Sequence, residues 1–132
     1  MIGVVSDPIF MHHDTGGYHP ESPQRIHYLH TIFAPPTDPK LIMVKPRAAL
    51  VEEIMLNHGK GYIDVVERAS GRNTLVDLDP DTVCSPESYQ VALLAAGSLI
   101  DLVGMAVKNE ISSGVACVRP PGHHARKNEA MG

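Results

Sequence analysis

The chain has 132 residues, of which 43% are hydrophobic, and its 11 basic and 15 acidic residues give it a net charge of −4. This size and composition fit one domain with a packed core, and the absence of a basic tract argues against nucleic acid or an anionic membrane surface as the main partner. Two cysteines are too few for a disulfide framework, and the longest uncharged apolar stretch, 88–100, is shorter than the ~20 residues of a membrane span, so we expect a cytoplasmic protein outside the membrane.

Short apolar runs rich in β-branched residues predict three buried strands, at 2–6, 41–44 and 114–118. Apolar residues at helical spacing predict helices between these strands, at 21–33, 48–59, 61–70 and 85–108. Ser22-Pro23 and Ser85-Pro86 each combine a helix-capping residue with a proline that suits the first helical turn. The stretch 77–84 carries three aspartates and is interpreted as a loop.

Three of the predicted helices carry an apolar stripe, which an amphipathic helix turns toward the core. We therefore expect three sets of residues to pack on the sheet. They are Ile26, Leu29 and Ile32 or Phe33 in the first helix, Leu50, Ile54 and Leu56 or Met55 in the second, and Tyr89, Leu93, Ala96, Ile100, Val103 and Val107 in the long helix.

The alternation of strands and helices predicts an α/β fold with a parallel sheet and helices on its faces. One domain, 1–132, accounts for the whole chain, but three strands are few for a parallel sheet. We therefore expect the domain to be incomplete and to expose a strand edge and an apolar face. Active sites of such sheets lie beyond the carboxyl ends of the strands, where the loop 7–21 and the motif RPPGHH at 119–124 follow the first and third strands.

His123 and His124 stand side by side after a stiff Pro-Pro-Gly stretch. The prolines fix their φ angles and end the strand, and Gly122 lets a backbone or a substrate approach closely. Two adjacent imidazoles can divide proton transfer between a base and an acid, so His123 and His124 are candidate catalytic residues. The alternative is a hydrogen-bonded pair in a loop with no chemical role.

A metal site is a further alternative for the histidines. Zinc needs three or four ligands, and two neighbouring side chains rarely reach one ion together. A second group of potential ligands in the loop after the first strand matches no zinc spacing: His12, His13, Asp14 and His19. His27 and His30 are interpreted as surface residues, and His58 as a structural residue at a helix end, where a cation suits the helix dipole.

Four segments together resemble the histone deacetylase superfamily, in its class II, acetoin-utilisation and acetylpolyamine-hydrolase branch. They occur in order over most of the chain: HPESPQRI (19–26), LVEEIMLNHGKGYIDVV (50–66), LDPDTVCSPESYQVALLAAGSLIDLV (78–103) and VRPPGHHA (118–125). The resemblance implies an arginase-like, three-layer α/β fold. It also implies zinc-dependent cleavage of acetyl-lysine or related acetylated amines.

The resemblance implies roles for individual residues as well. His123 and His124 match the tandem histidines that shuttle protons in this family, with Gly122 beside them as a substrate-binding residue. Asp79 or Asp81 matches an aspartate at the rim that holds the substrate backbone; Asp79 is preferred and Asp81 stays open. Arg25 matches an arginine near an internal channel behind the metal.

The family's zinc ligands, its transition-state tyrosine and the aspartates that orient the two histidines belong to later segments that nothing in this chain matches. We therefore expect an N-terminal part of a deacetylase-like amide hydrolase that binds no zinc and is inactive alone. The alternative is a naturally short, non-catalytic module, and a third reading is metal-independent histidine chemistry. The exposed sheet edge predicts either a homo-oligomer or a missing C-terminal half.

Overall fold

The computed structural model describes residues 1–33 and 38–131. Within these residues, a three-stranded sheet, a two-stranded hairpin and four α-helices follow one another along the chain. In order, the elements are β1 (Ile2–Ser6), a 3-10 helix (Pro8–Met11), α1 (Gln24–Phe33), β2 (Leu41–Met43), α2 (Val51–Met55), α3 (Lys60–Ser70), β3 (Val76–Asp79), β4 (Thr82–Cys84), α4 (Ser88–Val107) and β5 (Ser113–Cys117).

The main sheet has the strand order β2-β1-β5, and all its neighbouring strands are parallel. Ile2 pairs with Leu41 on one side and with Ser113 on the other. Val4 and Val5 in the central strand have no exposed surface, as the β-branched run predicts. The predicted parallel sheet and its three strands are therefore confirmed.

The interpretation of 77–84 as a loop was wrong, because this stretch contains most of an antiparallel hairpin. Strands β3 and β4 pair with Val76 opposite Cys84. The Asp79 carboxylate accepts a hydrogen bond from the Asp81 N–H at 2.8 Å, which forms the turn between the strands. Proline and aspartate do mark a turn here, but the turn is short, and residues with β propensity flank it on both sides.

The predicted apolar stripes were largely wrong about which helix faces are buried. In α4 the exposed residues include four large apolar side chains: Leu99, Ile100, Val103 and Val107. The buried face consists mostly of smaller residues: Ser88, Val91, Ala95, Gly97, Ser98 and Leu102. Likewise, Leu29, Ile32, Leu50 and Leu56 are exposed, whereas Ile26 is buried and Phe33 packs against the core.

The small residues of α4 allow a chain segment to cross the helix at van der Waals distance. The Ala49 N–H donates a hydrogen bond to the Leu93 carbonyl at 2.9 Å. A Cβ atom on Gly97 would lie 2.6 Å from the Ala49 backbone nitrogen, too close for any side chain. Because small residues are required at this crossing, the periodicity of large apolar residues predicted the wrong buried face of α4.

Helix α4 is long and apolar enough to cross a membrane by length and composition alone. The same test is passed by core helices of water-soluble proteins, and 28% of the relevant window is buried inside this fold. Its contacts with β5 and with the 3-10 helix give it a role in the α/β layers.

The close crossing predicts that Gly97→Ala lowers the free energy of unfolding by more than about 2 kcal/mol, because backbone atoms that cannot move cheaply meet the new methyl group. Gly104→Ala is the matched control. Gly104 lies in the same helix, and nothing lies within 4 Å of a Cβ atom there. Alanine at 104 is expected to stabilise the protein by about 0.5–1 kcal/mol. Urea denaturation followed by circular dichroism measures both, and equal effects would contradict the crossing.

Candidate active site

The carboxyl ends of β1 and β5 bring the loop 7–21 and the motif RPPGHH together, as the sequence predicts. Between them lies Arg119, whose side chain is 2% exposed. Its Nε and Nη2 donate to the two carboxylate oxygens of Glu21, both at 2.7 Å. Its Nη1 donates to the carbonyls of Phe10 and His13, at 3.2 and 2.8 Å. One guanidinium therefore ties the loop after β1 to the end of β5.

His13 lies beside this ion pair and is also buried. Burial and the nearby positive charge of Arg119 lower the pKa of His13 from 6.5 to about 4, against the opposing effect of Glu21. The ring is therefore neutral near neutral pH. Its Nδ1 lies 2.6 Å from Ser88 Oγ and can accept that hydroxyl's proton, while Nε2 is 3.8 Å from Glu21 Oε2.

Ser85 does not cap α4 with its side chain, contrary to the sequence-based prediction. Instead, Ser85 Oγ accepts the Asp14 N–H at 3.0 Å and lies 2.8 Å from Ser88 Oγ. Ser88 Oγ in turn accepts the Ser85 N–H at 2.7 Å. The serine that resembles a helix cap thus connects the start of α4 to the loop after β1, since the competing partner Asp14 comes from a distant part of the chain.

The histidine pair occupies the middle of a tight turn. The Ala125 N–H donates to the Gly122 carbonyl at 3.0 Å, and Gly122 has a φ of +64°, a conformation that favours glycine. The rings of His123 and His124 are perpendicular, with centroids 4.2 Å apart, and both residues are exposed. Within 1–33 and 38–131, neither ring has a hydrogen-bond partner, so the turn fixes where the two side chains begin and the rings contact each other.

A cavity of about 400 Å³ adjoins this turn. Its walls include His123, Gly122 and, from the β3–β4 turn, Asp81. Asp79 is not among the lining residues of this cavity and uses a carboxylate oxygen within the turn. His19 secures the turn, because its Nε2 lies 2.8 Å from the Asp81 carbonyl while its Nδ1 accepts the Glu21 N–H.

The remaining predicted site residue, Arg25, lies at the start of α1 with its side chain 62% exposed. Its Nη1 is 3.7 Å from Glu21 Oε1, so Arg25 contacts the buried ion pair from outside. The predicted channel role of Arg25 stays a prediction.

The described residues do not form a zinc site. In the ranges 1–33 and 38–131, no three side chains of His, Cys, Asp or Glu converge in a way that could hold a metal ion. The group His12, His13, Asp14 and His19 is spread over several partners: His12 pairs with Glu87, His13 with Ser88, and His19 with Asp81. That zinc does not bind this chain alone stays a prediction.

The sequence analysis missed Arg119, Glu21 and His13 as one buried unit. The local signal was a charged residue directly before two prolines at a strand end, which is an unusual place for an exposed cation. Its partner Glu21 lies 98 residues away, and no local periodicity relates the two positions.

The ion pair predicts that Arg119→Met lowers the free energy of unfolding by about 3–5 kcal/mol, because it leaves the Glu21 carboxylate buried and unpaired. The double variant Arg119→Met/Glu21→Met should recover part of this loss. Arg126→Met is the control, since its partner Glu129 lies at 3.6 Å and both side chains are largely exposed. It should cost less than about 1 kcal/mol in urea denaturation. A loss at Arg119 no larger than at Arg126 would contradict the role of the pair.

The lowered pKa of His13 predicts acid sensitivity. In the unfolded chain His13 becomes protonated as the pH falls below 6.5, whereas in the folded chain it stays neutral until the pH reaches about 4. The stability contribution is therefore fully present above pH 6.5 and is lost progressively as the pH falls to about 4, by about 3 kcal/mol in total. His13→Asn removes this titration. Urea midpoints of both proteins between pH 4 and 7.5 test it, and parallel pH profiles would show that His13 is not responsible.

Comparisons with known proteins agree with this geometry. The family model described as "Histone deacetylase domain" matches residues 19–132. The chain is 31% identical over 140 aligned positions to histone deacetylase 5 of Arabidopsis thaliana, covering 99% of this chain and 21% of that protein. It is 36% identical over 94 positions to polyamine deacetylase HDAC10 of Danio rerio, covering 67% of this chain and 14% of that protein.

A solved structure, the HDA15 HD domain, superposes with a TM-score of 0.88 at 29% identity, over 99% of this chain and 38% of that chain. This confirms the predicted arginase/deacetylase-like α/β fold. The chain spans less than half the length of each of these relatives. Its fold, its RPPGHH turn and these matches show that the chain belongs to the histone deacetylase superfamily.

Proposed function

We propose that this chain supplies the proton-transfer part of a deacetylase site that cleaves acetyl-lysine or acetylated polyamines. The observation that carries the proposal is the turn from Gly122 to Ala125, which lies beyond the carboxyl end of β5 and presents two perpendicular imidazoles, of which His123 lines the cavity. Imidazoles exchange protons near neutral pH. The arrangement suits amide hydrolysis, in which one proton leaves the attacking water and one reaches the departing amine.

His123 and His124 divide these two transfers in this proposal. One unprotonated ring nitrogen takes the proton of a water molecule, and the other ring, when protonated, gives a proton to the amine nitrogen as the C–N bond breaks. His123 lines the cavity, and the exposed ring of His124 lies beside it with the two centroids 4.2 Å apart, so the proposal requires His124 to reach the substrate from beside His123. General acid–base catalysis of this kind contributes typically 10²–10⁴-fold to the rate.

Asp81 is the better candidate for the residue that holds the substrate backbone. Asp81 lies on the same cavity as His123, while the Asp79 carboxylate already accepts a hydrogen bond from the turn. The two hydrogen bonds of the His19 ring, to the Asp81 carbonyl and to the Glu21 N–H, fix the position of Asp81 relative to Glu21. Gly122 also lines this cavity, and nothing lies within 4 Å of a Cβ atom placed there.

The zinc that this proposal requires does not fit the described residues, so its ligands would have to come from residues outside 1–132. The relatives are longer than this chain, which is consistent with further site residues elsewhere in their domains. In this proposal the chain is an N-terminal part of the catalytic domain and is inactive alone. The proposal includes both lysine and polyamine substrates, since the matched proteins are named for both histone and polyamine deacetylation.

A second candidate function is a non-catalytic module that associates with another copy of itself. The exposed surface favours it: Leu99, Val103 and Val107 of α4 are each more than half exposed, and Val115 in the edge strand β5 is 41% exposed. An apolar helix face beside an open strand edge is a surface that association would cover. Sedimentation at micromolar concentration distinguishes a self-associating chain from a folded monomer.

The proposed function predicts no turnover of fluorogenic acetyl-lysine peptides or N-acetylated polyamines by residues 1–132, with or without added zinc. Enzymes commonly accelerate reactions by 10⁶-fold or more, which exceeds what the histidine pair can supply. A longer protein that contains this chain and the remaining domain should be active. In it, His124→Ala should lower kcat at least about 100-fold, whereas His27→Ala, on the exposed face of α1, should leave it unchanged.

Two results would overturn this proposal. Turnover by the 132-residue chain that disappears in His123→Ala would mean that the site is complete without other residues. A longer protein that binds zinc but retains full activity in both His123→Ala and His124→Ala would remove the histidines from the mechanism.

A further inference from the structure

The segment that follows the histidine pair is bound to the junction between α2 and α3. His58 Nδ1 lies 3.0 Å from the Arg126 carbonyl oxygen and 3.3 Å from that of Lys127. The Gly59 N–H donates to the Lys127 carbonyl at 3.0 Å. We propose that His58 and Gly59 form a clamp that positions the His123–His124 turn, which makes His58 a positioning residue of the proposed active site.

The geometry assigns the donor in this clamp. Carbonyl oxygens only accept hydrogen bonds, so His58 Nδ1 must carry the proton. Asn57 Nδ2 lies 3.4 Å from His58 Nε2, on the other side of the ring. The sequence analysis interpreted His58 as a structural residue at a helix end, and in the fold its ring holds a chain segment 68 residues away.

Gly59 lies close to the bound segment. A Cβ atom at 59 would meet the side-chain amide oxygen of Asn128, so a larger residue there would have to displace that side chain. The same glycine precedes α3, and its carbonyl accepts the N–H groups of Tyr62 and Ile63 at 3.0 and 3.1 Å. Gly59 thus binds the segment through its N–H and begins a helix through its carbonyl, so the clamp stands on a rigid element.

The clamp is the second of two anchors that enclose the histidine turn. Upstream, Arg119 is buried against Glu21, four residues before His123. Downstream, the Arg126 carbonyl is bound two residues after His124. Because neither ring has its own hydrogen-bond partner among the described residues, the position of the turn depends on these two anchors, one made by the Arg119 side chain and one by backbone carbonyls. Loss of the downstream anchor should let the turn sample other conformations while the fold remains.

The clamp can be tested on the 132-residue chain, because trypsin cleaves after arginine and lysine. The carbonyls that His58 and Gly59 bind belong to the peptide bonds Arg126–Lys127 and Lys127–Asn128. In limited digestion followed by mass spectrometry, His58→Ala should raise the cleavage rate at these two bonds about threefold to tenfold, as expected for one lost hydrogen bond. Cleavage after Arg72 and Lys108 should not change. His58→Asn, whose amide can donate at the same place, should restore most of the protection, and His27→Ala should match the wild type.

Hydrogen exchange on the unaltered chain tests the clamp without any variant. The Gly59 amide should exchange its hydrogen more slowly than the Gly61 amide, because Gly61 lies in the first turn of α3, where N–H groups lack an intrahelical acceptor. Equal exchange at Gly59 and Gly61, or equal cleavage at 126–128 in wild type and His58→Ala, would overturn the clamp.

The catalytic meaning of the clamp rests on the proposed function, but the two can fail separately. Protection at 126–128 without deacetylase activity in the longer protein would leave the clamp intact and reject the proposed function. Activity in the longer protein that His58→Ala leaves unchanged, together with unchanged cleavage, would reject the clamp and keep the function.

Discussion

Arg119 and Glu21 are 98 residues apart in the chain and meet through two parallel hydrogen bonds of 2.7 Å. Burying such a pair is costly unless every donor and acceptor finds a partner. Here the remaining guanidinium donors reach backbone carbonyls of the loop after β1, so the cost is offset by the loop that they organise. The carboxyl edge of the sheet depends on this pair, since it joins the ends of β1 and β5 where strand pairing stops.

The effects of the pair extend one layer further. The charge of Arg119 helps to keep His13 neutral, and a neutral His13 can accept the hydroxyl proton of Ser88 at the start of α4. Ser85 continues the same hydrogen-bonded set back to the loop at Asp14. A single ion pair therefore influences the protonation state of its neighbour and the docking of the longest helix. The histidine turn begins only three residues beyond Arg119, so the buried ion pair also fixes the chain at the start of the turn.

The sequence predicted the parts of the structure that local patterns encode. The three β-branched runs became the parallel strands, and the stiff Pro-Pro-Gly stretch did place His123 and His124 at a strand end. The hairpin was missed because the aspartates and the proline of 77–84 indicate a loop more strongly than two short strands indicate a hairpin. The buried face of α4 was missed because Gly97 and its small neighbours contribute closeness of approach, which hydrophobic periodicity does not measure. The partnership of Arg119 with Glu21, and that of His58 with 126–127, depend on the tertiary fold and leave no local pattern.

The central place of β1 in the sheet bears on how the chain is made. β1 is translated more than 100 residues before its neighbour β5. At roughly 5–20 residues per second, the interval is on the order of 5–20 s. During that time one edge of β1, whose Val4 and Val5 are fully buried in the fold, has no native partner, and pairings between distant strands form slowly. Nascent chains of this protein should therefore be clients of ribosome-associated chaperones until β5 has been synthesised.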